Sequence, residues 1–108
     1  MNLTLRTDFG CTEALIDEDC SLNRFYEVAN ILANTLDIQF KTKEDDADTV
    51  IWHFPCKNSS LSLQYNIYTG ISLFPEKFRA AGRRENDAVI EVAKYLQKEL
   101  LLNTRFHS

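Results

Sequence analysis

Ser60-Leu61-Ser62-Leu63-Gln64-Tyr65-Asn66 is a stretch in which apolar and polar side chains alternate without a break. Successive side chains of a β-strand point to opposite faces of the sheet. An alternation with a period of two therefore predicts a strand that has one buried face and one face in contact with water.

The same alternation continues on both sides of this stretch. The apolar residues that carry it are Val50, Trp52, Phe54, Ile71 and Leu73. Pro55 and Pro75 are predicted to end the flanking runs, because proline has no N–H to give to a sheet ladder. Thr69-Gly70 supplies the reversal before the last run. Short connections between the three runs predict three consecutive antiparallel strands.

Weaker strand signals lie nearer the N-terminus. Ile38 and Phe40 alternate with polar residues and predict a half-buried strand, followed by a charged turn over residues 43–48. Leu3 and Leu5 predict a first strand that ends at the turn residues Asp8-Phe9-Gly10. Residues 11–16 are compatible with both a strand and a helix, so this segment has two open readings.

Two segments have helical periodicity. Ser21 can cap a helix over residues 22–36, in which apolar residues recur three and four positions apart. Asn86 can cap a second helix, after which residues 103–108 are expected to fray. The apolar stripe of this second helix consists of Val89, Val92, Ala93, Leu96 and Leu100.

Together these elements predict an α+β fold for one domain over residues 1–108. Its architecture is a two-layer sandwich, with an antiparallel sheet of about four to five strands and two helices packed on one face. The opposite face, which includes Gln39, His53, Ser62, Gln64 and Ser72, is polar enough to meet water.

The composition limits the classes of function. The chain has 12 basic and 16 acidic residues, and its net charge of −4 disfavours nucleic acid and anionic membranes as partners. No apolar run is long enough for a membrane span, and residues 1–9 do not resemble a signal peptide. Three cysteines, an odd number, suit reduced thiols. We therefore expect a cytoplasmic protein.

Cys11, Cys20, His53 and Cys56 could in principle form a zinc site or supply a Cys56/His53 nucleophile pair. The spacing lacks the tight knuckle of structural zinc sites, and no third group would orient the pair. The acidic positions in residues 44–48 lack the glycine and distal glutamate of a calcium loop. The sequence therefore predicts no metal, no cofactor and no catalytic residues, although an enzyme stays a minor alternative.

One further feature of the sequence is a segment, near the start of the second helix, that is rich in basic and aromatic residues. Its candidate binding residues are Phe74, Lys77, Phe78, Arg79, Arg83 and Arg84. Arginine beside aromatic rings is typical of protein interfaces. Our leading hypothesis is a non-enzymatic protein-binding or regulatory module, which could act as a homodimer. The alternative is a small anion- or phosphate-binding domain that uses the basic loop at residues 77–84.

Overall fold

A computed structural model describes residues 4–8, 11–18, 21–56, 59–76 and 82–107 of the chain. In chain order the elements are β1 (Thr4–Asp8), β2 (Cys11–Asp17), α1 (Leu22–Thr35), β3 (Thr42–Asp45), β4 (Thr49–Cys56), β5 (Ser59–Asn66), β6 (Gly70–Pro75) and α2 (Arg83–His107). The strands form one sheet with the order β1-β2-β6-β5-β4-β3, and all neighbours are antiparallel. The predicted α+β class is confirmed, with six strands rather than four to five.

The strand register places the alternating apolar residues on one face of the sheet. Leu63 of β5 lies opposite Trp52 on one side and Leu73 on the other, and Tyr65 lies opposite Ile71. Both helices pack against this face, so one cluster of buried side chains joins the helices to the sheet. We call this the helix face of the sheet and its opposite the open face.

Helix α1 begins where the sequence predicted. The Ser21 hydroxyl accepts a hydrogen bond from the Arg24 N–H at 3.4 Å, which is the geometry of a helix cap. The helix buries Phe25, Val28 and Leu32 against the sheet. It ends one residue before the predicted boundary, at Thr35.

Helix α2 begins earlier than predicted, and Asn86 is not its cap. The Gly82 N–H donates to Glu85 Oε2 at 2.9 Å, so the carboxylate of the first turn satisfies the helix start. Asn86 instead accepts a hydrogen bond from the Thr12 N–H of β2 at 2.9 Å. The helix continues to His107, well into the segment that was expected to fray.

The strand predicted around Ile38 and Phe40 is wrong. Both residues lie in an irregular segment, where they are half-buried and pack against the core. The strand in this region is β3 (Thr42–Asp45), which overlaps the charged turn predicted for residues 43–48. All four β3 side chains are exposed at the edge of the sheet, so burial imposes no apolar alternation there.

Pro55 does not end its strand, because β4 continues to Cys56. The His53 carbonyl accepts from the Lys41 N–H at 2.9 Å, on the side of β4 that faces β3. Pro55 is two residues further on and faces the same side, beyond the last pairing of β3 at Thr42. The missing proline N–H therefore removes no ladder bond. Pro75 does end β6, as predicted.

The N-terminal segment forms a hairpin. Residues 11–16 belong to a strand, β2, which settles the two open readings. Ala14 of β2 lies between Leu5 of β1 and Leu73 of β6. Leu3, Phe9 and Gly10 lie outside the described residues. Neither helix, over the described part of the chain, combines the length and apolar content needed to cross a bilayer.

Candidate functional site

The open face of the sheet has no helix on it among the described residues. Strand alternation gives this face Gln64 and Ser72, which pair with each other across β5 and β6. The next pairs continue the row, because Ser72 lies opposite Leu15 of β2, and Leu15 lies opposite Thr4 of β1. A row of four side chains therefore crosses four strands.

This row forms the floor of a groove with a volume of about 570 Å³. The floor is mixed in character, since the apolar Leu15 lies beside the polar Thr4, Ser72 and Gln64. The Gln64 side chain is half-buried and makes no hydrogen bond to a described residue. Its amide can both donate and accept, so it can orient a polar group that enters the groove.

One wall of the groove is an ion pair between Arg6 of β1 and Glu13 of β2. These residues are direct partners in the register, and the Arg6 side chain is 76% exposed. The pair holds a guanidinium group at the groove rim with its charge partly balanced. Such an exposed pair contributes little to folding stability, on the order of 0 to 1 kcal/mol.

The other wall is the turn between β5 and β6. Tyr68 lies in this turn and is 74% exposed, the largest value among the exposed large hydrophobic residues of the described chain. Asn66 Oδ1 accepts from the N–H groups of Tyr68 at 2.8 Å and Thr69 at 3.3 Å, which fixes the turn. Gly70 closes the turn with a φ of +92°. The turn therefore holds an aromatic ring in solvent beside the groove.

A second polar cluster occupies the open face further along β4 and β5. His53 Nε2 lies 2.5 Å from Glu44 Oε2, and His53 Nδ1 lies 2.6 Å from the Ser62 hydroxyl. Glu76 Oε1 also approaches His53 Nδ1, at 3.5 Å. Sequence reasoning missed this cluster because the pairing of His53 with Ser62 depends on strand register, although alternation already placed both on one face.

The order of carboxylate, imidazole and hydroxyl resembles a nucleophile relay, but the geometry does not suit attack on a substrate. Ser62 has no exposed surface. It lies within β5, between β4 and β6, where the ladders of both neighbours engage the backbone. The backbone N–H groups are thus not arranged as an oxyanion hole. The cluster is better explained as a hydrogen-bond network that satisfies a half-buried histidine.

The Cys56/His53 pair considered from sequence does not form. The two residues are three positions apart in β4, so alternation puts His53 on the open face and Cys56 on the helix face. Cys11 and Cys56 are buried, and Cys20 lies outside the described residues. Over the ranges that the structure describes, no group of three or more His, Cys, Asp or Glu side chains has a geometry that could hold a metal ion.

The predicted binding segment is only partly described. Lys77, Phe78 and Arg79 lie outside the described residues. Phe74 is half-buried on the open face, opposite Ser62. Arg83 and Arg84 are exposed in the first turn of α2, the helix that packs on the other face. The structure therefore does not bring the described members of this segment to one surface.

The described arginines of this segment have carboxylates as neighbours. Arg83 Nε lies 3.9 Å from Asp87 Oδ2, and Glu91 lines the same shallow pocket. Glu85 already accepts the N–H of Gly82 at the start of α2. Acidic groups thus offset the positive end of the helix, which weakens the case for an anion site here.

A six-stranded antiparallel sheet with two helices on one face and a groove on the other defines a two-layer α+β protein with an open sheet face. The chain belongs to the family described as "Protein of unknown function (DUF3630)", whose model matches residues 5–98. Comparison with the curated proteins and with the solved structures gives no match. The family match runs from β1 into α2, so it includes the residues that line the groove with the exception of Thr4.

Proposed function

We propose that this protein is a non-enzymatic binding module that takes a segment of a protein partner on the open face of its sheet. The groove beside Tyr68 is the observation that carries the proposal. An exposed tyrosine and an arginine at the rim have the composition of interface hot spots.

The shape and lining of the groove favour a protein segment over a small molecule. Pockets for small molecules are mostly apolar and enclose their ligand. This groove opens to solvent, and Leu15 is its only aliphatic lining residue among those described. Arg6, Gln64 and Tyr68 instead offer charge, hydrogen bonds and an aromatic surface, which together suit a side chain of a partner protein. We also propose a cytoplasmic location, which the low and odd number of cysteines supports.

Site-specific photo-crosslinking tests the location of the surface. We would replace Tyr68 by the photo-reactive p-benzoylphenylalanine and irradiate cells that express the chain. Lys94, which is exposed on α2, is the control position for the same replacement. We expect a discrete adduct from position 68 and none of that mass from position 94. An adduct of twice the chain mass would identify a second copy as the partner.

Two variants separate this surface from the basic segment. Tyr68→Ala should abolish co-purification of the crosslinked partner, because it removes the aromatic wall of the groove. The double variant Arg83→Ala, Arg84→Ala should leave the partner bound. The opposite pattern would move the function to the basic segment and overturn the proposal. No adduct at position 68 under any growth condition would also count against it.

A further inference from the structure

A second surface with a binding character lies on the helix side of the sheet, near the β3 edge. Its centre is Trp52 of β4, which is half-buried. Phe40 packs edge-on against Trp52 at 5.2 Å between ring centroids, and Tyr26 of α1 lies at 5.9 Å. Tyr26 is 44% exposed. We call Tyr26, Phe40 and Trp52 the aromatic surface.

A cation of the chain itself already occupies this aromatic surface. The Lys43 Nζ lies 4.2 Å from the centroid of the Trp52 ring. Lys43 reaches it because the two residues are direct partners in the pairing of β3 with β4. Tryptophan is the side chain that binds cations best through its ring face. The contact therefore shows that an ammonium group can reach the face of the Trp52 ring.

The charges around the aromatic surface favour a further cation over an anion. Residues 37–48 carry five carboxylates and two ammonium groups. One of these carboxylates, Glu44, lies on the open face against His53, and the remaining six charges sum to −2. The charged side chains of residues 41–48 are all exposed. Alternation along β3 puts Asp45 on the same side of the strand as Lys43, so a carboxylate flanks the cation. This acidic segment lies beside a partly exposed cluster of aromatic rings.

We propose that the aromatic surface binds a basic segment of a partner protein, whose arginine or lysine side chain displaces Lys43 from the Trp52 ring. Arginine should be preferred, since its planar guanidinium group stacks on aromatic rings and is less strongly hydrated than an ammonium group. Lys43 acts as a tethered competitor that the incoming side chain replaces. This site lies across the sheet from the groove and does not depend on the function proposed for the groove.

Trp52 reports on this site directly, because it is the only tryptophan in the chain. Octa-arginine, octa-lysine and octa-glutamate peptides would be titrated into the full chain at about 0.15 M salt, where long-range attraction is screened. Trp52 emission and calorimetry would be recorded together. We expect saturable changes in both signals with octa-arginine, weaker changes with octa-lysine and none with octa-glutamate.

Two matched variants separate the ring site from the mean charge. Lys43→Met and Lys41→Met change the net charge by the same amount, but only Lys43 lies over Trp52. We expect Lys43→Met to bind octa-arginine about 3- to 10-fold more tightly than Lys41→Met does. Tyr26→Ala, at an exposed position, should weaken binding. Circular dichroism would confirm that each variant is folded.

Several results would overturn the inference. Equal affinities of Lys43→Met and Lys41→Met for octa-arginine would show that the tighter binding comes from net charge alone. Heat on titration without a change in Trp52 emission would place the peptide elsewhere on the acidic surface. A lack of binding in both measurements, with wild type and with Lys43→Met, would exclude the site altogether.

Discussion

Gly70 is held in a backbone conformation that an L side chain rarely adopts. Its φ is +92°, and a Cβ atom there would lie 2.2 Å from the backbone oxygen of Asp17. Gly70→Ala should therefore force the β5–β6 turn away from β2, with a loss of about 2 to 3 kcal/mol in the free energy of unfolding. Urea denaturation followed by circular dichroism would measure the loss.

Gly82 provides the matched control. Among the described residues, a Cβ atom at Gly82 would meet only Glu85 Oε2, at 3.1 Å, which is the end of a flexible side chain. Gly82→Ala should change the free energy of unfolding by less than about 1 kcal/mol. Similar losses in the two variants would show that the turn at Gly70 tolerates a side chain and is less fixed than its geometry indicates.

Arg24 links β2 to α1 through two carboxylates. Its Nε lies 2.6 Å from Asp17 Oδ2, and its Nη1 lies 2.5 Å from Glu27 Oε2. Burial lowers the pKa of Arg24, but the hydrogen bonds to Asp17 and Glu27 and their charges outweigh it, so the pKa is raised overall. Arg24→Met should reduce the free energy of unfolding by about 1 to 2 kcal/mol, because two charged acceptors lose their donor.

The sign of this pKa shift determines the pH dependence. A raised pKa in the folded state gives stability that is complete below the unfolded pKa and is lost only as the pH rises through the folded value. For an arginine both values lie far above neutrality. The Arg24 cation should thus contribute equally from about pH 6 to about pH 9. Urea titrations of Arg24→Met and wild type that converge toward about pH 9 would contradict this assignment.

At the scale of elements, periodicity predicted those that have one buried face. Helix α1 buries a stripe of side chains, and β5 and β6 place apolar residues at alternate positions on the helix face, so their sequences carry a period, although Ser62 and Ser72 are buried as well. Strand β3 is exposed on both faces, so its sequence has no apolar period. Its backbone pairing with β4 places it in the sheet. The prediction that Pro55 ends its strand was wrong because a proline costs a ladder hydrogen bond only where a neighbouring strand faces its nitrogen. The local sequence does not show which strand positions have such a neighbour.

The start of α2 is fixed to β2 by one side chain. Asn86 Oδ1 accepts the N–H of Thr12, which is only 7% exposed. Asn86→Ala would leave this buried donor without its acceptor, at a cost of about 1 to 3 kcal/mol in the free energy of unfolding. Hydrogen exchange at the Thr12 amide should accelerate in the same variant, since β2 would open more easily next to α2.

Asn86→Asp is the conservative counterpart, because an aspartate keeps an acceptor oxygen at the same position and suits the first turn of a helix. It should restore the protection of the Thr12 amide. Asp87→Ala, at the exposed neighbouring position, controls for a general weakening of the helix start. Equal protection of the Thr12 amide in Asn86→Ala and wild type would show that the contact does not hold the two elements together.

At the scale of the whole molecule, the candidate site was less predictable than the fold. The open face could be read from the sequence, because Ser62 and Gln64 alternate with buried leucines. The groove could not be predicted from the sequence, because it forms only where β1 and β2 lie beside β6. Nothing in the local sequence gives that strand order. The position of Tyr68 beside Arg6 and Glu13 arises from these long-range pairings alone.

The two proposed surfaces lie on opposite faces of one sheet and differ in chemistry. The groove offers a mixed polar floor with a paired charge, whereas the aromatic surface offers rings and an acidic neighbourhood. The groove includes Gln64 of β5 and the aromatic surface includes Trp52 of β4, and these two strands pair over eight residues. Partners could therefore occupy both surfaces at once, since neither site includes a residue of the other.

The buried side chains form one cluster that includes both helices and the sheet, so the described core should unfold in a single step. Trp52 reports on the α1 and β3 end of this cluster, whereas far-ultraviolet circular dichroism reports on all elements. The two signals should give coincident urea transitions. Calorimetry should give an unfolding enthalpy of about 75 kcal/mol near 60 °C, equal to the van't Hoff value. An earlier transition in Trp52 emission would instead show that the aromatic end of the core opens independently, and the aromatic surface would then be a locally mobile site rather than a preformed one.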